Sequence, residues 1–198
     1  MEEQLRPSAA NGGQGLRERK KKLTRMAIRR EAFRLFDEQG YANTTVEQIA
    51  DAAEVSPRTI YRYFGVKEGL LASADKISPI IDAFVEAPAE LPYVEAYRHA
   101  IATVYDALSP EERADAITGE QLMYATPETR GLLYSAYITL ADLIANALSR
   151  RPDGPTDELE RRVVAGAITG VLMTTSHNTP VPAAELDRAL SALAVRLS

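Results

Sequence analysis

Between residues 44 and 71 the chain reads TTVEQIADAAEVSPRTIYRYFGVKEGLL, a stretch that leaves room for little except two short helices joined by a tight turn. Thr44 and Glu47 have capping-box spacing, and so do Thr45 and Gln48, so the first helix can satisfy its orphan backbone donors in either of two registers. Ile49, Ala50 and Ala53 then share one helical face, and the small alanines let a second helix cross closely. Glu54-Val55-Ser56 is the break, with Val55 placed to plug the angle between the helices. Ser56 is a capping residue. Pro57 follows at the first helical position, where its missing N–H costs nothing and its fixed φ suits the start. Ile60 and Phe64, one turn apart, point inward, which leaves Arg58, Thr59, Arg62 and Tyr63 on the outer side.

That outer set suits a nucleic acid. Arginine grips guanine O6 and N7 bidentately in the major groove, a threonine methyl packs on a thymine methyl, and tyrosine hydroxyls donate to phosphate. Two arginines alone would read as solvated surface; the whole helix-turn-helix stretch favours DNA. The net charge of −5 taken over the whole chain opposes this, but the charge is unevenly distributed. Residues 16–70 carry twelve Lys/Arg against eight Asp/Glu, whereas residues 71–198 carry ten against eighteen. A basic head on an acidic body is the asymmetry expected of a DNA reader whose body is repelled by the duplex.

Residues 1–15 are poor in large apolar side chains and are expected to form a flexible tail. Arg17-Glu18-Arg19-Lys20-Lys21-Lys22 leads into a helix carrying Ile28, Ala32, Phe33, Leu35 and Phe36 and stopping at Gly40. This predicts a basic arm on a core helix, positioned for phosphates or a minor groove. Beyond Lys67, helical patterns cover residues 67–86, 92–109, 111–125, 127–150, 156–177 and 183–197, punctuated by prolines. No convincing strand pattern occurs, so the fold class is all-α: a DNA-binding domain over residues 16–70 and a helical body over residues 71–198. The chain has no cysteine, no apolar run near the roughly 18 residues of a membrane span, and no signal-peptide core; a cytoplasmic protein without a membrane partner is expected.

With Ile28, Ala32, Leu35-Phe36 and Gly40 upstream, then Thr44-Thr45, Ile49-Ala50, Val55-Ser56, Thr59-Ile60-Tyr61, Tyr63-Phe64, Lys67-Glu68 and Leu70-Leu71, residues 20–71 resemble the DNA-binding domain of the TetR family of transcriptional regulators. Two positions depart from the family pattern: Glu54 stands where relatives usually have glycine, and Val66 where they usually have a polar cap. The first requires a non-glycine residue to tolerate the turn; the second weakens the cap of the helix beginning at Lys67. The resemblance implies a homodimeric repressor that binds a two-fold operator and is released by a small-molecule inducer. Base contacts would come from Pro57, Arg58, Thr59, Tyr61 and Arg62. Arg17, Lys20, Lys21, Lys22, Thr45, Tyr63 and Lys67 would hold phosphates. A competing reading is a helical ligand-binding or interaction module without sequence-specific DNA recognition.

The segment 156–177 contains VVAGAITGVLMTT, apolar on most faces, with Gly166 and Gly170 four apart, and the last segment repeats Leu186, Leu190, Leu193 and Leu197. By itself this surplus could close the chain's own core. In the TetR family the last two helices form a four-helix dimer interface, which implies Val164, Ile168, Val171, Leu186, Leu190 and Leu193 as interface residues. Tyrosines and methionines crowd the middle segments, at Tyr93, Tyr97, Tyr105, Met123, Tyr124, Tyr134, Tyr137 and Met173. The family's inducer pocket lies in that region, implying His99, Thr103, Tyr124, Tyr137, Met173 and His177 as lining. There are only two histidines and no catalytic motif, so no enzyme, cofactor or metal site is expected.

Overall fold

The computed structural model describes residues 10–72, 74–176 and 184–197, and among them no strand occurs. The chain divides into two compact units, one ending at Lys67 and the other beginning at Glu68.

The first unit holds α1 (Ala10–Gln39), α2 (Val46–Ala52) and α3 (Pro57–Phe64). Ile28, Ala32 and Phe36 of α1, Val46, Ile49 and Ala50 of α2, and Ile60 and Phe64 of α3 are all buried. Helix α1 ends on Gly40, whose φ of 83° lets its N–H turn back to the Phe36 carbonyl at 3.0 Å. Of the two possible capping registers, the chain uses Thr45 with Gln48. The Gln48 N–H donates to Thr45 Oγ1 at 3.2 Å and the Thr45 N–H to Gln48 Oε1 at 2.8 Å. Thr44, only 1% exposed, instead donates its hydroxyl to the Gly40 carbonyl at 2.8 Å and accepts from Gln39 Nε2 at 3.1 Å. Glu54 takes φ 53°, alone among the described non-glycine residues in the left-handed region, so the turn is indeed made without glycine. Ser56 accepts from the Thr59 N–H at 3.2 Å and caps α3, with Pro57 in the first turn.

Helix α1 starts at Ala10, inside the stretch expected to be a tail. Lys and Arg lose little rotamer freedom in a helix, and extending a nucleated helix costs far less than starting one, so the ordered part grows upstream from the core residues.

The second unit contains α4 (Ala74–Glu86), α5 (Tyr93–Asp106), α6 (Pro110–Ala125), α7 (Arg130–Arg150), α8 (Glu158–Ser176) and α9 (Ala184–Leu197). Helix α4 packs on α5 and α7, α8 runs along α7, and α9 lies across α5 and α8. Phe84, Tyr97, Ile144, Leu148, Ile168 and Leu190 are at most 2% exposed and form the centre of one core. Burying each such side chain contributes about 1.5–3 kcal/mol. Phe84 and Tyr97 meet edge to face at 5.4 Å.

Two expected helices are broken. The 67–86 segment begins as a 3₁₀ turn over Lys67–Leu70, and the α-helix starts only at Ala74. Val66 has no side-chain oxygen to cap a helix there. Likewise Pro127–Thr129 form a 3₁₀ turn before α7, with the Thr129 hydroxyl donating to the Met123 and Thr126 carbonyls at 2.6 and 2.8 Å. Within Pro127–Arg150 an 18-residue window has a mean hydropathy of 1.3, long and apolar enough to cross a membrane, contrary to the expectation that no stretch would be. Ile144, Ala147 and Leu148 of this window are buried in the body's core, 17% of the window in all, and one such helix is weak evidence for a membrane span.

Candidate nucleic-acid interface and an apolar cavity

Helix α3 is amphipathic in the sense the sequence suggested. Ile60 at 1% and Phe64 at 9% exposure lock its inner face, while Arg58, Tyr61 and Arg62 are exposed on the outer one. The Arg62 guanidinium lies 5.1 Å from the Tyr63 ring centroid, which holds the charge near the helix surface. Pro57 and Thr59 are half-buried; the Thr59 hydroxyl sits 2.9 Å from that of Ser56 and is partly engaged in the cap. The structure thus brings Arg58, Tyr61 and Arg62 onto one exposed strip, with Pro57 and Thr59 at its N-terminal edge.

Behind the strip, Arg25 of α1 fastens α3. Its Nη1 donates to the Tyr63 carbonyl at 2.7 Å and its guanidinium stands 4.7 Å from the Phe64 ring centroid. The sequence reading missed Arg25; an arginine among the apolar positions of α1 is the signal that could have found it.

The expected phosphate contacts fall into two groups. Arg17, Lys20, Lys21 and Lys22 are exposed on α1, and Thr45 is exposed at the start of α2. On a helix Arg17, Lys20 and Lys21 share a face while Lys22 points away from it. Tyr63 and Lys67 are half-buried. The Lys67 ammonium donates to the Tyr41 carbonyl and lies 4.0 Å from the Tyr41 ring centroid, so its charge is engaged within the head.

The body holds a cavity of about 210 Å³. Helix α5 contributes Tyr97, Ile101 and Tyr105 to it, one turn apart, and α6 and α7 bring Tyr124 and Tyr137, whose hydroxyls are hydrogen-bonded to each other. Of the expected lining, Tyr124 and Tyr137 are there. His99 and Thr103 are exposed instead, with the Thr103 hydroxyl donating to the His99 carbonyl at 2.9 Å, because each lies two residues, about 200°, from the inward Tyr97–Ile101–Tyr105 row. Met173 is half-buried outside the lining, where Leu172 takes its place, and His177 lies outside the described residues. Burial pushes the Tyr97 phenol far above its ordinary range, so it stays neutral.

Three of the expected interface residues are also redirected. Ile168, Leu186 and Leu190 are at most 2% exposed inside their own protomer's core, and Val164, Val171 and Leu193 pack against that core. The outward face of α8 is another row. Leu159 and Val163 are 66% and 61% exposed, and no atom would meet a Cβ added at Gly166 or Gly170. The Gly-xxx-Gly spacing was the signal for this face. Among the described residues no group of three or more His, Cys, Asp or Glu lies together as a metal site would require.

Two family models match the chain: bacterial regulatory proteins of the tetR family over residues 28–74, and the MftR C-terminal domain over residues 91–198, more than half of the chain. The chain belongs to the TetR family. Among its relatives, the HTH-type transcriptional regulator TcmR of Streptomyces glaucescens is 37% identical over 144 residues, covering 70% of this chain and 62% of TcmR. The putative mycofactocin biosynthesis transcriptional regulator MftR of Mycobacterium tuberculosis is 24% identical over 167 residues, covering 79% of each. In fold, this TetR-family chain matches native NalD of Pseudomonas aeruginosa, the secondary repressor of the MexAB-OprM multidrug efflux pump, with a TM-score of 0.53 at 16% identity over 88% of this chain and 96% of NalD.

Proposed function

We propose that this protein is a homodimeric repressor that occupies a two-fold operator and is released from it by a small molecule bound in the body. The observation that carries the reading is the division of α3: an inner face fixed by Ile60 and Phe64, and an outer face offering Arg58, Tyr61 and Arg62. A helix so anchored presents side chains to base edges in the major groove with little loss of freedom. Arg58 and Arg62 read guanine, Tyr61 and the edge residues Pro57 and Thr59 complete the contact, and Thr45 and Tyr63 hold flanking phosphates.

The basic run Arg17–Lys22 contacts phosphates across the groove without entering it. The run is helical, and a helix about 10–12 Å across does not enter a minor groove about 6 Å wide. Residues 16–70 therefore act as the DNA-binding domain and residues 71–198 as the body for dimerisation and sensing. The dimer forms along the outward row of α8, where Gly166 and Gly170 permit close approach and Leu159 and Val163 supply apolar surface. An inducer that binds better when the two heads are wrongly spaced weakens DNA binding by linkage.

The decisive experiment is a genomic pull-down of DNA bound by the full chain, followed by footprinting of the recovered sites. A protected palindrome with half-sites about one helical turn apart or a multiple of it is expected. Recovery of DNA with no shared sequence would sink the reading.

A further inference from the structure

The cavity of the body constrains its occupant in size, charge and polarity, and this inference rests on the reading of the body as an effector-binding domain. Size comes first. A dry apolar cavity of about 150 Å³ admits benzene, so one of about 210 Å³ accommodates a substituted single ring or a fused pair of rings. The walls, among them Ile80, Ile101, Leu133 and Leu140, are mainly apolar and favour transfer of apolar surface out of water.

Charge comes next. Lys76 and Glu120 both line the cavity, one cation and one anion, and each is already engaged with a partner, so an ionised guest has to displace an existing interaction to be neutralised. Moving an unpaired carboxylate or ammonium into such walls is strongly unfavourable. Polarity is concentrated where the Tyr124 and Tyr137 hydroxyls meet. A phenolic hydroxyl both donates and accepts, so the pair can re-form its bonding around a guest hydroxyl or carbonyl placed there.

We propose that the cavity binds a neutral, one- or two-ring apolar molecule carrying a single hydroxyl or carbonyl, oriented by Tyr124 and Tyr137. Three probes of one shape separate the requirements: 2-naphthol, naphthalene and 2-naphthoate, titrated calorimetrically against the full-length protein at neutral pH. The expected result is binding of 2-naphthol at least about tenfold tighter than 2-naphthoate, since the latter brings its charge with it. Tyr137→Phe should weaken 2-naphthol by about two- to tenfold, the loss of one net hydrogen bond, and leave naphthalene unaffected. Tyr124→Phe provides the same readout should Tyr137→Phe melt early. Equal or tighter binding of 2-naphthoate, or no binding of 2-naphthol to the folded protein, overturns the assignment; so does equal weakening of naphthalene by the Phe variants. Binding of 2-naphthol that leaves affinity for the recovered operator unchanged supports the cavity assignment and removes the inducer role, so the two readings fail separately.

Discussion

The Arg151 guanidinium, with a side chain fully shielded from solvent, donates from Nη1 to the Phe84 carbonyl at 2.6 Å, joining positions sixty-seven residues apart. The same group reaches the Ala87 carbonyl at 3.1 Å and the Pro88 carbonyl at 3.2 Å, stands 3.0 Å from the Asp153 carboxylate, and lies 5.3 Å from the Phe84 ring centroid. It closes the C-terminal end of α4 with the end of α7, satisfying carbonyls that the helix leaves open. Arg151→Met should destabilise the body by about 2–4 kcal/mol, because buried carbonyls and the Asp153 charge lose their partner. Arg151→Lys should recover only part of this, since an ammonium lacks the planar fork. Denaturant unfolding measures both; equal stability of Met, Lys and wild type would remove the role.

On the reading face, Arg58→Ala or Arg62→Ala should each cost about 1–3 kcal/mol on the specific operator and relax preference at one base pair. Competition binding against single-substituted operators is the measurement. Unchanged preference in both variants would refute base contact by these arginines.

Replacing Lys20, Lys21 and Lys22 together by Ala should weaken binding to all sequences alike and flatten the dependence of log affinity on log salt, by roughly one unit of slope per lost phosphate contact. A slope that does not move identifies the run as solvated surface.

Val163 is 61% exposed in the protomer, so Val163→Glu should leave the fold intact and convert the dimer to monomer, read by sedimentation. Gly166→Ala sharpens the test. Open space surrounds the added methyl in the protomer, and the helix gains about 0.8–1 kcal/mol in propensity, yet close approach of a second α8 is blocked. A variant that melts higher as a monomer is the expected outcome. Leu190→Glu is uninformative about assembly because Leu190, 1% exposed, sits in the protomer's own core and its substitution unfolds the body.

Glu54 holds a φ of 53° without the freedom of glycine. Glu54→Gly should therefore stabilise the head by about 0.5–1 kcal/mol, the relief of the left-handed backbone exceeding the entropy lost by a more flexible unfolded chain. A lower melting temperature would contradict this.

The head was legible in the sequence because each of its signals is local. Ser56-Pro57 fixes where α3 begins, Gly40 fixes where α1 ends, and Ile60 with Phe64 fixes which face turns inward. The choice between Thr44 and Thr45 as cap was not local: it depends on Thr44 being drawn under Gln39 at the end of α1. In the body the helices could be counted but not rotated. His99 and Tyr97 are two residues apart, and nothing in composition says which of them faces a cavity; that depends on where α6 and α7 fall across α5. Apolar residues on α8 and α9 are likewise shared between an inner and an outer face, and only packing separates Ile168 from Val163.

Helix α1 carries Arg17–Lys22 and the core residues Ile28 and Phe36 on one continuous rod. On the proposed reading, the basic run arrives at a duplex already ordered, so its engagement calls for no coupled folding and should add little to the heat-capacity change of binding. Electrostatic attraction then acts on the orientation of the whole head, because a pull on the rod turns the core to which α3 is fastened. In calorimetric terms, the run should then contribute mainly counterion entropy, a share expected to vanish with rising salt while the enthalpy of base contact persists.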